Sequence, residues 1–439
     1  MFDTNQKLES ITLYLSILIA SLILLLSFSS CTDTCKTTTT YTTYKPIYAS
    51  MSELRLEVDI LPPQPRESQG KIYVYGKYLL LGEPDKGIHV FNNADKTNPI
   101  AISFINIPGN KDMAVKGGKL YADSYLDLLV FDMSDANNIS LANRVENVFS
   151  LYRNDFGIAT SESMIVIGME EIEEIEVSTD CSSESPGIIN MEDVIAFSSN
   201  AQMGIKSSAS GAAPAIGIGG STARFTIVGN YLYTVDDYLM YVFDIISPEN
   251  PVDINTVDLG WGIETIFPFK DNLFIGSQSG MFVYNIANPA QPEFMSGVQH
   301  ITTCDPVVAN EKYAFVTLRS ENNNNRCGTA LTNQLDVIDV SDVANARLLH
   351  TYTMTGPYGL GIDGNTLFVT EGDSGLKIFD ITDVSKIDEN LIHHIEGFNA
   401  FDVIPNNGTL ILTGNDGLYQ FDYTDLTEIK LLSLISATK

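Results

Sequence analysis

The sequence predicts an all-β chain, a β-propeller of four-stranded antiparallel blades, and three observations carry that reading. A hydrophobic–aromatic–Asp/Asn phrase returns at Val90-Phe91-Asn92, Val130-Phe131-Asp132, Val242-Phe243-Asp244 and Val283-Tyr284-Asn285, then at Val337-Ile338-Asp339, Ile378-Phe379-Asp380 and, more weakly, Gln420-Phe421-Asp422. Most neighbouring copies lie about forty residues apart, the period of a propeller blade or another repeat array. Ahead of most copies stands a second apolar run led by a dipeptide such as Gly76-Lys77 or Gly229-Asn230, which suits a hairpin turn needing positive φ. Third, no long amphipathic helical pattern alternates with these runs, so sequential hairpins fit better than parallel crossovers.

Within each unit the first run reads as strand B and the phrase as strand C. The β-branched and aromatic content of the phrase suits a strand packed on both faces. Turns such as Asn98-Pro99, Asn250-Pro251 and Asn288-Pro289 lead into strand D. The interval from Phe131 to Phe243 is too long for one unit. Met164 to Gly168 reads as a further strand B there, and Glu170 to Val177 as its unusual strand C. Residues 178–220, with runs of Ser, Ala and Gly, read as an excursion. The expectation is eight blades, with seven plus an insertion as the alternative. Leu54 to Ile60 alternates and is expected to add an edge strand to the first or last blade, since an open edge invites aggregation.

Three segments follow: 1–30, an export signal or membrane anchor; 31–50, a Thr-rich tether; and 51–439, the propeller with its insertion. Ile11 to Ser30 carries no charge, and about twenty helical residues would span a bilayer core. The tether has little to bury and reads as unable to offset its ordering entropy.

The units from Gly76 to Ile435 resemble LVIVD repeats, as in Gly87-Ile88-His89-Val90-Phe91-Asn92 and Leu128-Leu129-Val130-Phe131-Asp132-Met133-Ser134. The segment Phe28-Ser29-Ser30-Cys31 resembles a bacterial lipobox. Together they resemble lipoproteins of the Bacteroidetes type. The resemblance implies a propeller at the cell envelope, as an outer-membrane lipoprotein facing the periplasm or cell surface, with cleavage before Cys31 and acylation there. An uncleaved anchor helix is the alternative, and either would hold the protein to a membrane. The resemblance implies no activity.

The charge balance, 25 basic against 55 acidic residues for a net −30, excludes a phosphate-binding nucleic-acid partner and a basic patch for anionic lipid. In an oxidising compartment, Cys304 and Cys327 are a disulfide candidate. One precedes a strand A and the other lies in a long, Asn-rich B–C loop, and in an antiparallel blade both positions fall on one face. No Cys-x-x-Cys or His-Glu-x-x-His pattern points to zinc. Gly372-Asp373-Ser374-Gly375 resembles a serine-protease nucleophile segment, yet it occupies a repeat turn, and that reading is preferred.

The same face gathers acids. Asp112, Glu264, Asp305 and Asp402 lead into strands A; Glu83, Asp123, Asp236 and Glu371 follow strands B, with Arg319 as the basic member. They form a candidate rim for a cation or polar ligand, against the plainer expectation that they cap turns. No cofactor is firmly implied; a divalent cation such as calcium is the one metal the acids suggest. Trp261, the sole tryptophan, is expected to be buried between blades, with a sugar-stacking platform as the alternative. The expected function is an envelope-tethered scaffold that binds a protein or glycan without catalysis. The alternative is an envelope glycan lyase or hydrolase working at the rim.

Overall fold

The computed structural model describes Leu18 and residues 37–149, 164–178, 216–299, 306–319 and 333–437. The chain divides into two units, one of 1–47 with 169–207 and one of 48–168 with 208–439. The first centres on a two-stranded sheet that pairs Thr37–Ser50 with Met164–Ser178. The supposed tether is therefore extended strand from Thr37, as its Thr and Tyr content favours.

Among the described residues the second unit holds seven blades, each with four antiparallel strands in sequence order. Their first strands are Ile72–Tyr75, Met113–Lys116, Phe225–Val228, Ile263–Phe269, Val307–Ala309, Leu360–Asp363 and Asp402–Asn406. The first strands of successive blades touch one another and so line the hub. The fourth strands alternate between exposed and half-buried residues, as Val252–Asp258 does, and form the circumference. All seven fourth strands carry a one-residue register shift opposite the repeated phrase, such as that at Val90/Phe91 and at Gln420/Phe421. Bulges of this kind twist an outer edge away from foreign strands.

The count of eight is corrected to seven. Met164–Ser178, read as strands B and C of a third blade, is one strand of 15 residues and pairs with Thr37–Ser50. The physical reason lies in Glu170 to Glu176. A strand C is buried on both faces, as Asp127–Asp132 is, and five of those seven positions would bury unpaired carboxylates there.

The phrase itself has a local explanation. Its Asp or Asn side chain accepts the backbone N–H two residues on in all seven blades, at 2.9 Å for Asp132 with Ser134 and 2.8 Å for Asp380 with Thr382. The next residue donates to the residue just ahead of strand B, as Met133 does to the Gly118 carbonyl at 2.8 Å. The two recurring motifs thus close one turn against the other.

The alternating segment near Leu54 behaves differently in its two halves. Met51–Leu56 is a helix whose Ser50 and Glu53 form a reciprocal capping box. Only Asp59–Leu61 is strand, and it extends the outer edge of blade 1 by pairing with Ile100–Asn106. The helix packs Met51 and Leu54 on Tyr125, Leu126 and Ile165. Arg55 grips buried Asp127 with two hydrogen bonds of 2.8 Å.

Neighbouring blades are bolted by side chains reaching the next blade's C–D turn. Tyr121 Oη donates to the Pro248 carbonyl at 2.9 Å and Tyr233 Oη to the Pro289 carbonyl at 2.8 Å. The last blade uses the same device on the first, with Ser433 Oγ on the Lys96 carbonyl at 2.7 Å. Apolar packing completes that junction, with Ile404, Ile411 and Leu418 against Ile72, Val74 and Leu81. The ring closes without an exchanged strand.

Among the described residues no helix is long and apolar enough to cross a membrane. The segment 1–30, apart from Leu18, and Cys31 lie outside the described residues, as does 179–215 of the insertion.

Candidate functional site

The hub is where a propeller most often builds a site, and here the chain's own backbone runs through it. Residues 216–224 form a strap leading into strand A of blade 3. Ile216 bridges Lys116, and Gly217 N–H donates to the Val115 carbonyl at 3.0 Å, both in blade 2. Ile218 and Gly219 then pair with Val74 and Tyr73 on the inner edge of blade 1. Ser221 Oγ accepts Leu360 N–H of blade 6 at 2.9 Å, and the Ala223 carbonyl accepts Ile266 N–H of blade 4 at 2.8 Å. One short segment thus ties five blades from the inside. It fits because it is small: a Cβ on Gly220 would stand 2.0 Å from Asp402 Oδ2.

At the end of the strap the acids that lead into strands A converge. Asp402 accepts from Ser221 Oγ at 3.1 Å and from Thr222 Oγ1 at 2.8 Å. Asp112 Oδ2 accepts the backbone N–H groups of Arg224 and Phe225, the latter at 3.0 Å, and its Oδ1 accepts Met113 N–H at 2.7 Å. Both carboxylates are buried. Lys71 donates to the Thr222 carbonyl and lies within electrostatic reach of Asp112, Asp402 and Glu264. Burial pushes the Lys71 pKa down, while burial pushes those of Asp112 and Asp402 up. Each direction is that of a charge withdrawn from water.

The other rim residues serve their own turns. Asp123 Oδ1 accepts from Asn110 Nδ2, Lys111 N and Asp112 N at 2.8, 2.9 and 3.0 Å, and burial pushes its pKa up to about 6. Asp236 closes its hairpin on Tyr238 N and Leu239 N at 2.8 and 2.7 Å. Buried Glu83 meets His89 Nε2 at 2.8 Å and Lys86 Nζ at 2.9 Å. Burial raises the Glu83 pKa, but those partners outweigh it and hold the carboxyl below its usual range. Glu371 accepts Thr355 N and Gly356 N at 2.8 and 3.1 Å and pairs with Lys377 at 3.1 Å. Arg319 lies over the Tyr358 ring at 3.5 Å. Glu264 accepts from Gln278 Nε2 at 3.1 Å.

The rim is therefore two arrangements. Asp112, Asp402 and Glu264 lie within electrostatic reach of Lys71; Glu83, Asp236 and Glu371 stay with their own blades, and Arg319 of blade 5 reaches Tyr358 at the entry to blade 6. Asp305, Cys304 and Cys327 lie outside the described residues. Among the described residues no group of three or more His, Cys, Asp or Glu is arranged to hold a metal ion. His394 Nε2 meets the Ser374 carbonyl at 2.7 Å, and Ser374 N–H donates to the Glu371 carbonyl at 3.0 Å. Ser374 thus sits in an ordinary turn. Trp261 is 54 % exposed, so its expected burial between blades is not found.

Sequence reasoning missed Lys71, Ser221, Thr222 and Arg224. A signal existed in Ile216-Gly217-Ile218-Gly219-Gly220-Ser221-Thr222, which stands directly ahead of a strand A where other units have only a short loop. Small residues read as linker, so the segment falls within the excursion when only the sequence is considered.

Residues 330–354 match the family described as LVIVD repeat. They contain strands C and D of blade 5, Gln334–Asp339 and Arg347–Thr353. No curated protein matches the chain. Among solved structures, Sqt1 of Saccharomyces cerevisiae is similar at 9 % identity and TM-score 0.48, covering 84 % of this chain and 85 % of that one. BamB from Moraxella catarrhalis is similar at 8 % identity and TM-score 0.45, covering 86 % and 97 %. A protein from Lactobacillus plantarum is similar at 15 % identity and TM-score 0.48, covering 84 % and 96 %. Likeness at these levels says nothing of function. The described residues form a β-propeller of seven blades, and its fifth blade carries a segment matching the LVIVD repeat.

Proposed function

We propose that the protein is a binding scaffold of the cell envelope, held to a membrane through its N-terminal segment and acylated at Cys31. It binds a protein or glycan partner without catalysis, on the face where the loops into strands A meet the B–C turns. One observation carries the reading. The hub acids, Asp112 and Asp402, spend their oxygens on the strap and on their own backbone. A lyase or hydrolase at the rim would need a carboxylate aimed at substrate with room for it, and these two face Arg224, Phe225, Ser221 and Thr222 instead. The strap and the strand it enters supply N–H donors to Asp112 and O–H donors to Asp402, which leaves no assignment for a calcium ion between them.

Two experiments test the reading. The full chain in detergent micelles, immobilised, is expected to retain an envelope protein or glycan and to leave oligosaccharides intact. Turnover of any glycan would contradict it. Labelling with a radioactive fatty acid is expected to mark the chain and to be lost in Cys31→Ala, which should also shift the protein to the soluble fraction.

A further inference from the structure

We propose that Trp261 and the polar groups beside it form a stacking site for a neutral oligosaccharide on the face that carries the rim. This names the partner class within the scaffold reading and rests on that reading.

The backbone that carries the indole is held in place. Its neighbours Gly260 and Gly262 have φ of +93° and +72°, a left-handed region that other residues adopt only with strain. Gly260 N–H donates to Asp258 Oδ1 at 2.9 Å. Leu259 and Ile263 N–H donate to the Tyr238 and Asp237 carbonyls at 2.9 and 3.1 Å, and Gln278 N–H donates to the Gly262 carbonyl at 2.8 Å. The backbone on either side of Trp261 is thus pinned by the B–C turns of two blades. Yet the ring is exposed, and so is Tyr238 at 43 %. Pinning a large apolar ring in water gains no packing, but it removes the ordering cost of a later contact.

The surroundings select the occupant. Half-buried Arg224 and Asp237 pair at 3.3 Å, and Gln278 pairs with Glu264 at 3.1 Å. These planar groups offer donors and acceptors side by side. A pyranose ring presents C–H groups on a face and hydroxyls around its edge, so it suits an exposed indole on a loop whose backbone such groups flank. A protein partner would want an apolar centre within about 800 Å² per side, and two exposed aromatic residues on a loop and turn with charged Arg224 and Asp237 do not provide one. The net charge of −30 disfavours acidic sugars by repulsion.

Because Trp261 is the only tryptophan, its fluorescence reports on this site alone. Neutral hexasaccharides of glucose, xylose, mannose and N-acetylglucosamine are titrated into the full chain in detergent micelles, with a hyaluronan hexasaccharide as the acidic probe. A saturable emission change is expected with at least one neutral probe and not with the acidic one. By calorimetry, Trp261→Ala should weaken that binding by about tenfold or more, and Trp261→Phe should recover part of it. Unchanged thermal melting of both variants is expected, since the ring is exposed. No emission change with any neutral probe, or binding that survives Trp261→Ala, would overturn the site. A protein partner retained equally by wild type and Trp261→Ala, with no sugar bound, would overturn it too and leave the scaffold reading standing. Cleavage of a bound probe would instead contradict the scaffold reading.

Discussion

Asn93 and Gln420, 327 residues apart, exchange two amide hydrogen bonds of 2.8 Å in the buried junction between the first and last blades. Gln420 Nε2 also donates to Ser433 Oγ at 3.0 Å. The weakest copy of the repeated phrase owes its odd residue to this pair: where other blades place Val or Ile, the last places Gln420. A buried amide is costly when unpaired, so both residues are explained only together. Gln420→Leu is expected to lower stability by about 2–4 kcal/mol, as it strands the Asn93 amide. The double variant with Asn93→Leu should lose less than the two single losses added. Urea unfolding of the four proteins checks this.

A second expectation concerns the helix that docks on blade 2. Asp127 is fully buried and accepts from Arg55 twice at 2.8 Å, from Arg144 at 2.9 Å and from Asn147 N–H at 3.0 Å. Burial raises its pKa, but Arg55, Asn147 and Arg144 outweigh that and hold the carboxyl below its usual range. A depressed acid stabilises the fold above its unfolded pKa, and that contribution is lost as pH falls through the folded value. Asp127→Ala should cost about 3–5 kcal/mol near neutral pH, since it leaves two arginines facing each other. The difference from wild type should shrink in acid, as thermal melting across pH will read.

Asp123 gives the opposite sign. Its pKa is raised by burial to about 6, so the folded state holds its proton more tightly. The associated stability is fully present below the unfolded pKa and is lost as pH rises through about 6. Asp123→Asn keeps an oxygen for Asn110, Lys111 and Asp112. It should therefore raise melting temperature relative to wild type at pH 7 and change it little at pH 4. Equal shifts at both values would contradict the assignment.

Gly220→Ala tests the fit of the strap. Its Cβ would meet Asp402 carboxylate atoms at 2.0 and 2.7 Å, and such overpacking costs about 1–3 kcal/mol. The change should lower urea stability by that amount and loosen the strap. An Ala variant as stable as wild type would place Asp402 elsewhere.

Much of this was legible in the chain. Strands B and C announce themselves because each blade repeats one hydrogen-bonded solution, and a repeated solution leaves a repeated phrase. The blade count was not, because Met164 to Gly168 has the apolar pattern of a strand B and only its partner, Thr37–Ser50, decides otherwise. The helix at Met51 hid behind an alternating pattern, although Ser50 and Glu53 stood at capping-box spacing. Ring closure was not visible either, since Asn93 and Gln420 form a pair used once. The rim was half legible: the register placed Asp112, Glu264 and Asp402 on one face, but not the strap that occupies two of them. Strap contacts depend on Gly220 lacking a side chain, and a run of small residues reads as linker as readily as strap.

The most direct test of the filled hub is hydrogen exchange along residues 216–225 in the native full chain. Gly217 N–H donates to Val115, Ile218 and Gly219 pair with blade 1, and Arg224 and Phe225 donate to Asp112. These amides should exchange as slowly as those of strand A in blades 1 and 2, through unfolding of the whole propeller. Rapid exchange across 216–225, with Ile72–Tyr75 and Met113–Lys116 still protected, would mean that the hub stands open and would contradict the account.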